Sequence, residues 1–149
     1  MARPTPRKWY PKNPRKYDGD PNTIICRSSW EVKVCVWLDT ALNVISWKSE
    51  EVIVPYVSPI DNRVHRYFTD FFCKIKTKDG TIKSYLIEVK PYKQTQEPAI
   101  KKRITKQYIT EVTTWAVNQA KFKAATEYCL DRGWEFKILT ERELGIGTK

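Results

Sequence analysis

Asp70, Glu88 and Lys90 are the residues of this chain whose types and spacing suit catalysis. Asp70 stands in Tyr67-Phe68-Thr69-Asp70-Phe71-Phe72, and Glu88 and Lys90 close the run Tyr85-Leu86-Ile87-Glu88-Val89-Lys90. Between the two runs, Lys78-Asp79-Gly80 suits a three-residue hairpin loop, a type I turn with Gly80 in the left-handed position. Such a loop pairs Thr77 with Thr81. Counting back along both strands sets Asp70 opposite Glu88. Opposed residues of antiparallel strands share a face, with Cβ atoms about 4.5–5.5 Å apart. Lys90 lies two residues beyond Glu88 and points the same way. A two-residue loop would slip the register by one and part the carboxylates.

The surroundings make this pairing costly. Phe68, Phe72 and Leu86 would lie on one side of the strands, and Phe71, Ile75, Ile87 and Val89 on the other, as in central strands covered on both faces. Two carboxylates held together in such a place repel each other and lose hydration. A divalent cation relieves both costs, since Mg²⁺ takes oxygen ligands and keeps several waters. Alternatively, Lys90 and other basic residues neutralise the pair as a structural ion cluster. Spacing alone leaves both readings open. A third carboxylate, Glu31, falls in the first turn of a helix opened by Ser28-Ser29-Trp30-Glu31. There the pattern by itself reads as a capping box, with Glu31 reaching back to the Ser28 amide.

The elements that must position these groups follow from periodicity and turn residues. Trp30, Val34, Trp37 and Leu38 have helical spacing, and the helix should end near Thr40 to Asn43. Val44 to Trp47 and Val52 to Val54 are short β-like runs. Pro59, Asp61 and Asn62 mark a turn. His65 to Thr77 reads as one β-prone stretch and Thr81 to Lys90 as a second, stopped by Pro91. Tyr92 to Gln107 is polar and basic and predicts no definite element. Val112 to Arg132 reads as a helix with Trp115, Ala116, Gln119, Phe122, Ala125 and Cys129 along one stripe, ended by Gly133. Trp134 to Thr140 alternates as a final strand. The expected fold is α/β, a mixed central sheet flanked by helices, in a single domain over residues 21–149.

Residues 1–20 differ in composition. Arg3, Arg7, Lys8, Lys12, Arg15 and Lys16 alternate with Pro4, Pro6, Pro11 and Pro14, and Trp9, Tyr10 and Tyr17 are interleaved. Proline disfavours helix and removes backbone donors, so this is read as an extended basic arm. It lies on phosphates or a partner, or its aromatics wrap it on its own domain. Across all 149 residues the formal net charge is +10, which favours polyanionic partners, nucleic acid first. No apolar run approaches the roughly 20 residues that span a bilayer, and the N-terminus shows no apolar signal core. No membrane partner is expected, and no oligomeric state follows from the residues. The four cysteines, Cys26, Cys35, Cys73 and Cys129, form no Cys-x-x-Cys pair, and His65 is the single histidine. Zinc is therefore not expected, and buried reduced thiols are.

Asp70, followed by Glu88-Val89-Lys90 at the end of the next strand, resembles the signature of the PD-(D/E)xK nucleases, although Thr69 stands where that signature has proline. The longer series of Arg27-Ser28-Ser29-Trp30-Glu31, Trp47, Pro55-Tyr56, Arg66 to Phe71, Ile87 to Pro91, Lys121-Phe122, Ala124-Ala125, Tyr128-Cys129 and Trp134-Glu135-Phe136 is similar to the endonuclease subunit of heteromeric bacterial transposases. It is closer still to the head-completion nucleases of T-even-type bacteriophages, including the Met1-Ala2-Arg3-Pro4 start.

The resemblance implies a restriction-endonuclease-like fold and a metal-dependent endonuclease acting on double-stranded DNA with Mg²⁺ or Mn²⁺. It implies Asp70 and Glu88 as metal ligands, with the Val89 carbonyl as a further oxygen, Lys90 beside the attacking water, and Glu31 as a third acid that also caps. Arg66, Lys93 and Lys121 become candidate phosphate contacts alongside Arg3, Arg7, Lys8 and Lys12 of the arm; His65 is a weaker candidate. The phage relatives imply action in head completion after packaging, in the virion or in the host cytoplasm during assembly, with head or neck proteins as partners. Two other readings compete. One is a non-catalytic DNA-binding component of the phage head or neck. The other is a nuclease of the transposase type or one acting on branched DNA.

Overall fold

The protein is described from a computed structural model covering residues 5–145. In chain order the elements are β1 (Arg7–Lys8), β2 (Ile25–Cys26), α1 (Ser29–Thr40), β3 (Val44–Ser49), β4 (Ile53–Val57), β5 (Val64–Phe68), β6 (Phe71–Lys76), β7 (Ile82–Val89), α2 (Lys106–Arg132), β8 (Glu135–Leu139) and α3 (Glu141–Leu144). Short 3-10 turns at Pro14–Lys16 and Tyr92–Thr95 interrupt the connections.

A four-stranded sheet in the order β3-β6-β7-β8 forms the middle of the fold. Its first three strands are antiparallel, whereas β8 runs parallel to β7. A parallel neighbour requires a crossover, and α2 provides it. Side chains alternate between the two faces of the sheet. Phe71, Cys73 and Ile87 point to one face and meet Val34, Cys35 and Leu38 of α1 around Trp47. Phe72 and Leu86 point to the other and meet Ala125 and Cys129 of α2. The result is a mixed α/β fold with a central mixed sheet packed against helices, as expected. Each fully buried large apolar side chain contributes about 1.5–3 kcal/mol. The two clusters therefore fix the sheet from both sides.

Several local expectations give way. His65 to Thr77 is not one strand. It breaks at Thr69 and Asp70, where β5 leaves to pair with β4 in a separate two-stranded sheet. The Thr69 hydroxyl and amide both donate to the Val52 carbonyl, at 2.8 and 3.2 Å, and this anchors the break. Phe68, on β5, is consequently 51% exposed rather than in a covered strand. Trp37 is 42% exposed because α1 buries Val34, Cys35, Leu38 and Asp39 instead. Asp39 is admitted to the interior because its carboxylate accepts the backbone N–H groups of Lys12 and Asn13.

Helix α2 begins at Lys106, six residues before Val112, since the Thr105 hydroxyl caps it by accepting the Tyr108 N–H. Gln119 faces out and Asn118 takes the buried position. Gly133 ends α2 with φ +71°, as its type suggested. No helix among the described residues is long and apolar enough to cross a membrane. All four cysteines are buried free thiols.

Candidate active site

The hairpin turn sets the site. The Thr77 N–H donates to the Thr81 carbonyl at 2.8 Å, the Gly80 N–H to the Thr77 carbonyl at 3.0 Å, and Gly80 adopts φ +86°. The carboxylate of Asp79 gathers the Thr77 and Thr81 hydroxyls and the Thr81 N–H, which pull its pKa down to about 2. The register that follows pairs Phe72 with Leu86 and Phe71 with Ile87. One step further, Asp70 comes opposite Glu88, as counting from a three-residue loop predicts.

At that point the backbone ladder ends. Oδ2 of Asp70 accepts the Val89 N–H at 2.7 Å, and the Asp70 carbonyl accepts the Glu50 N–H at 3.0 Å. Asp70 keeps some solvent exposure but is closely surrounded by protein. Burial first, then the charge of Glu88, pushes its pKa well above the usual aspartate range; Glu31 adds to the rise, and the Val89 N–H and Lys90 oppose it.

Glu88 is 6% exposed. Its Oε1 accepts the Tyr67 hydroxyl at 2.5 Å, and its Oε2 lies 3.3 Å from the Lys90 ammonium. The Lys90 side chain is 19% exposed, enough to meet a solvent-borne group. The Lys90 N–H is tied to the Leu139 carbonyl at 3.0 Å, so β8 fixes where Lys90 leaves the sheet.

Lys121 reaches the same corner from α2. Its ammonium lies 5.5 Å from the Tyr67 ring centroid and 5.8 Å from that of Tyr56. Burial lowers its pKa, and the positive charge of Lys90 lowers it further against the pull of Glu88 and Asp70.

Glu31 is half-buried at the start of α1. Ser28 is the N-cap, its hydroxyl accepting the Glu31 N–H at 3.2 Å. The Glu31 carboxylate meets that hydroxyl at 3.3 Å rather than the Ser28 amide, so only half of the expected capping box forms. Burial raises its pKa, opposed by the Arg27 backbone and the Ser28 hydroxyl and helped by Glu50.

The remaining sequence candidates are spread out. Lys93 is exposed in the turn after β7. Arg66 is exposed on β5 with its guanidinium 5.5 Å from the Phe68 ring centroid. His65 is occupied with Asp61 at 2.8 Å. Arg7 and Lys8 are exposed on β1, and the Lys12 backbone is held by Asp39, at the opposite end of α1 from Glu31. Arg3 lies outside the described residues.

Three neighbours of the site carried no role in the sequence reading. Tyr67 is one. Arg27 and Glu50 are the others, paired at 2.7 Å beside Glu31 and Asp70, with Glu50 in the left-handed region at φ +57°. Tyr67 is the one buried residue of β5, between exposed Arg66 and Phe68, and no apolar–polar alternation along Val64–Phe68 marked it in advance. Glu50 had no signal either, because its position depends on the chain break.

The donor set suits a hard divalent cation. Asp70 and Glu88 supply carboxylate oxygens, and the strain on Asp70 is a surplus of negative charge that such an ion would offset. Among the described residues no three Cys, His or acidic side chains converge tightly enough to enclose an ion. An ion here would complete its shell with water, backbone or phosphate oxygens, which is the usual manner of Mg²⁺.

Comparison with known proteins points to an endonuclease family. Residues 42–141 match the family model described as TnsA-like endonuclease N terminal. The chain is also 41% identical, over 93% of its length and 95% of the relative's, to the head completion nuclease of Enterobacteria phage T4.

Proposed function

This chain belongs to the TnsA-like endonuclease family, and we propose that it is a metal-dependent DNA endonuclease whose cutting centre is Asp70, Glu88 and Lys90. Its endonuclease role follows from the family and from homology to a phage head completion nuclease. The observation that carries the site assignment is the enforced closeness of Asp70 and Glu88 at the end of the β6–β7 hairpin, with Lys90 3.3 Å from Glu88.

Phosphodiester hydrolysis needs an in-line water, charge relief on the phosphoryl oxygens and help for the leaving alkoxide. A bound Mg²⁺ or Mn²⁺ supplies charge relief and a more acidic water. Asp70 and Glu88 would hold that ion through their carboxylate oxygens, with the Val89 carbonyl as a further donor. Lys90 orients the attacking water or takes its proton, and its charge stabilises the crowded phosphate. Glu31 steadies the site from the start of α1, through water. Lys121, Arg66 and Lys93 hold flanking phosphates, and the basic arm with Arg3, Arg7, Lys8 and Lys12 extends the track along the duplex. As in the phage relative's name, the setting would be head completion, in the virion or during assembly, beside head or neck proteins.

The test is cleavage of supercoiled and linear duplex DNA in Mg²⁺, Mn²⁺ and EDTA, with Glu88→Ala in parallel. Nicking that requires the metal and disappears in Glu88→Ala supports the assignment. Equal cutting by Glu88→Ala would move the centre elsewhere. Tight binding by the wild type with no cutting under any metal would favour a scaffold that binds DNA without cleaving it.

A further inference from the structure

We propose that Tyr67 is a positioning residue for cleavage, its phenol fixing the orientation in which Glu88 presents its carboxylate. This rests on the reading of Asp70 and Glu88 as the ion-holding pair. Tyr67 is 3% exposed, and its hydroxyl donates to Oε1 of Glu88 at 2.5 Å. Lys90 holds the other oxygen, Oε2, at 3.3 Å. A carboxylate gripped at both oxygens by different partners does not rotate freely. Lys90 is a flexible chain, whereas the Tyr67 phenol is rigid.

The ring is itself fixed from several sides. Tyr67 pairs with Val54 in the β4–β5 ladder, its side chain joins the apolar cluster with Ala125 and Cys129, and the Lys121 ammonium lies 5.5 Å from the ring centroid. The hydroxyl therefore arrives from a sheet that does not include β7. It can define the carboxylate plane independently of how the strand bearing Glu88 flexes. An oxygen that accepts a phenol proton keeps a second lone pair, so the contact leaves Glu88 able to bind a cation. Partners of this kind orient ligands, and losing one commonly costs 10–100-fold in metal affinity or activity.

The experiment is calorimetric titration of Mn²⁺ into the full chain without DNA, for wild type, Tyr67→Phe and Tyr85→Phe, followed by cleavage of supercoiled DNA across Mn²⁺ concentrations. Phenylalanine keeps the ring and its burial, and thermal melting verifies the fold. Tyr67→Phe is expected to bind Mn²⁺ about 10-fold more weakly. Its cleavage should fall at low Mn²⁺ and recover as Mn²⁺ is raised, while Tyr85→Phe tracks the wild type. Wild-type affinity and cleavage in Tyr67→Phe would overturn the inference and leave the nuclease reading standing. A wild type that neither binds Mn²⁺ nor cuts would overturn the metal-site reading, and this inference with it. Should Tyr67→Phe unfold, 3-fluorotyrosine at position 67 retains the shape with a more acidic donor. A shift in Mn²⁺ affinity then supports the positioning role, and no shift overturns it.

Discussion

Asp70 is favoured as a carboxylate by the Val89 amide and the Lys90 charge, and opposed by burial, Glu88 and Glu31. Burial and the Glu88 charge raise its pKa well above the ordinary aspartate value, so the folded chain holds that proton more tightly than the unfolded one. Stability should therefore fall as pH rises from the ordinary aspartate pKa through the raised one, and the full penalty applies above it. Removing the charge relieves it. Asp70→Asn is expected to lose cleavage, to keep its DNA affinity, and to melt at a higher temperature than the wild type in EDTA at neutral pH. Melting curves across pH test this directly, and an unchanged or lower melting point for Asp70→Asn would show that the charge is already satisfied. Lys121 offers a second residue-scale test. Lys121→Met keeps the alkyl stem beside Tyr56 and Tyr67 and removes the charge. If the ammonium meets a phosphate, the slope of log affinity against log salt should shrink by about 1; an unchanged slope would confine Lys121 to packing.

At the scale of elements, the β6–β7 turn decides whether the site exists. Gly80 sits at φ +86° with nothing within 4 Å of where a Cβ would stand. The cost of Gly80→Ala is thus conformational, about 1–2 kcal/mol, with no clash to relieve. Chemical denaturation should show that loss, and a neutral result would mean the loop can take another turn type. Asp79 adds a pH dependence of the opposite sign to that of Asp70. Its pKa is depressed to about 2, so its contribution is fully present above the ordinary aspartate pKa and is lost as pH falls through about 2. An Asp79→Ala chain should lose that part of the acid sensitivity.

The same turn explains what the sequence could reveal. Lys78-Asp79-Gly80 has local chemistry that specifies one loop, and from it the opposition of Asp70 and Glu88 follows by counting. The break at Thr69 depends on the Val52 carbonyl, 17 residues away, so β-propensity ran through it and set Phe68 in the wrong sheet. Likewise, Trp37 and Gln119 fit a helical stripe, but the buried arc of each helix was chosen by the arm and the sheet. Asp39, taken up by two backbone amides of the arm, is the clearest case.

The whole molecule combines a charge of +10 with a covered acidic pair, so attraction to a polyanion and the proposed cutting chemistry reside in different residues. The basic arm shows how far they can be separated. Trp9 and Tyr17 pack on Trp47, with ring centroids 5.9 and 4.8 Å away, and β1 pairs with β2 through Arg7 and Cys26. The Arg7 and Lys8 side chains remain exposed on that strand. Deleting residues 1–16 would therefore remove backbone partners of Asp39 together with the charge, and a loss of binding would mean little. Arg7→Gln with Lys8→Gln separates the two roles, since glutamine keeps the strand and the packing of Trp9. If both cations meet phosphates, the salt slope should fall by nearly 2, about 0.9 for each. Melting temperature should stay put, and cleavage at saturating DNA should be unchanged. A salt slope equal to that of wild type, measured over the same range of ionic strength, would mean that the arm near β1 serves the fold or a protein partner and that the duplex is gripped elsewhere.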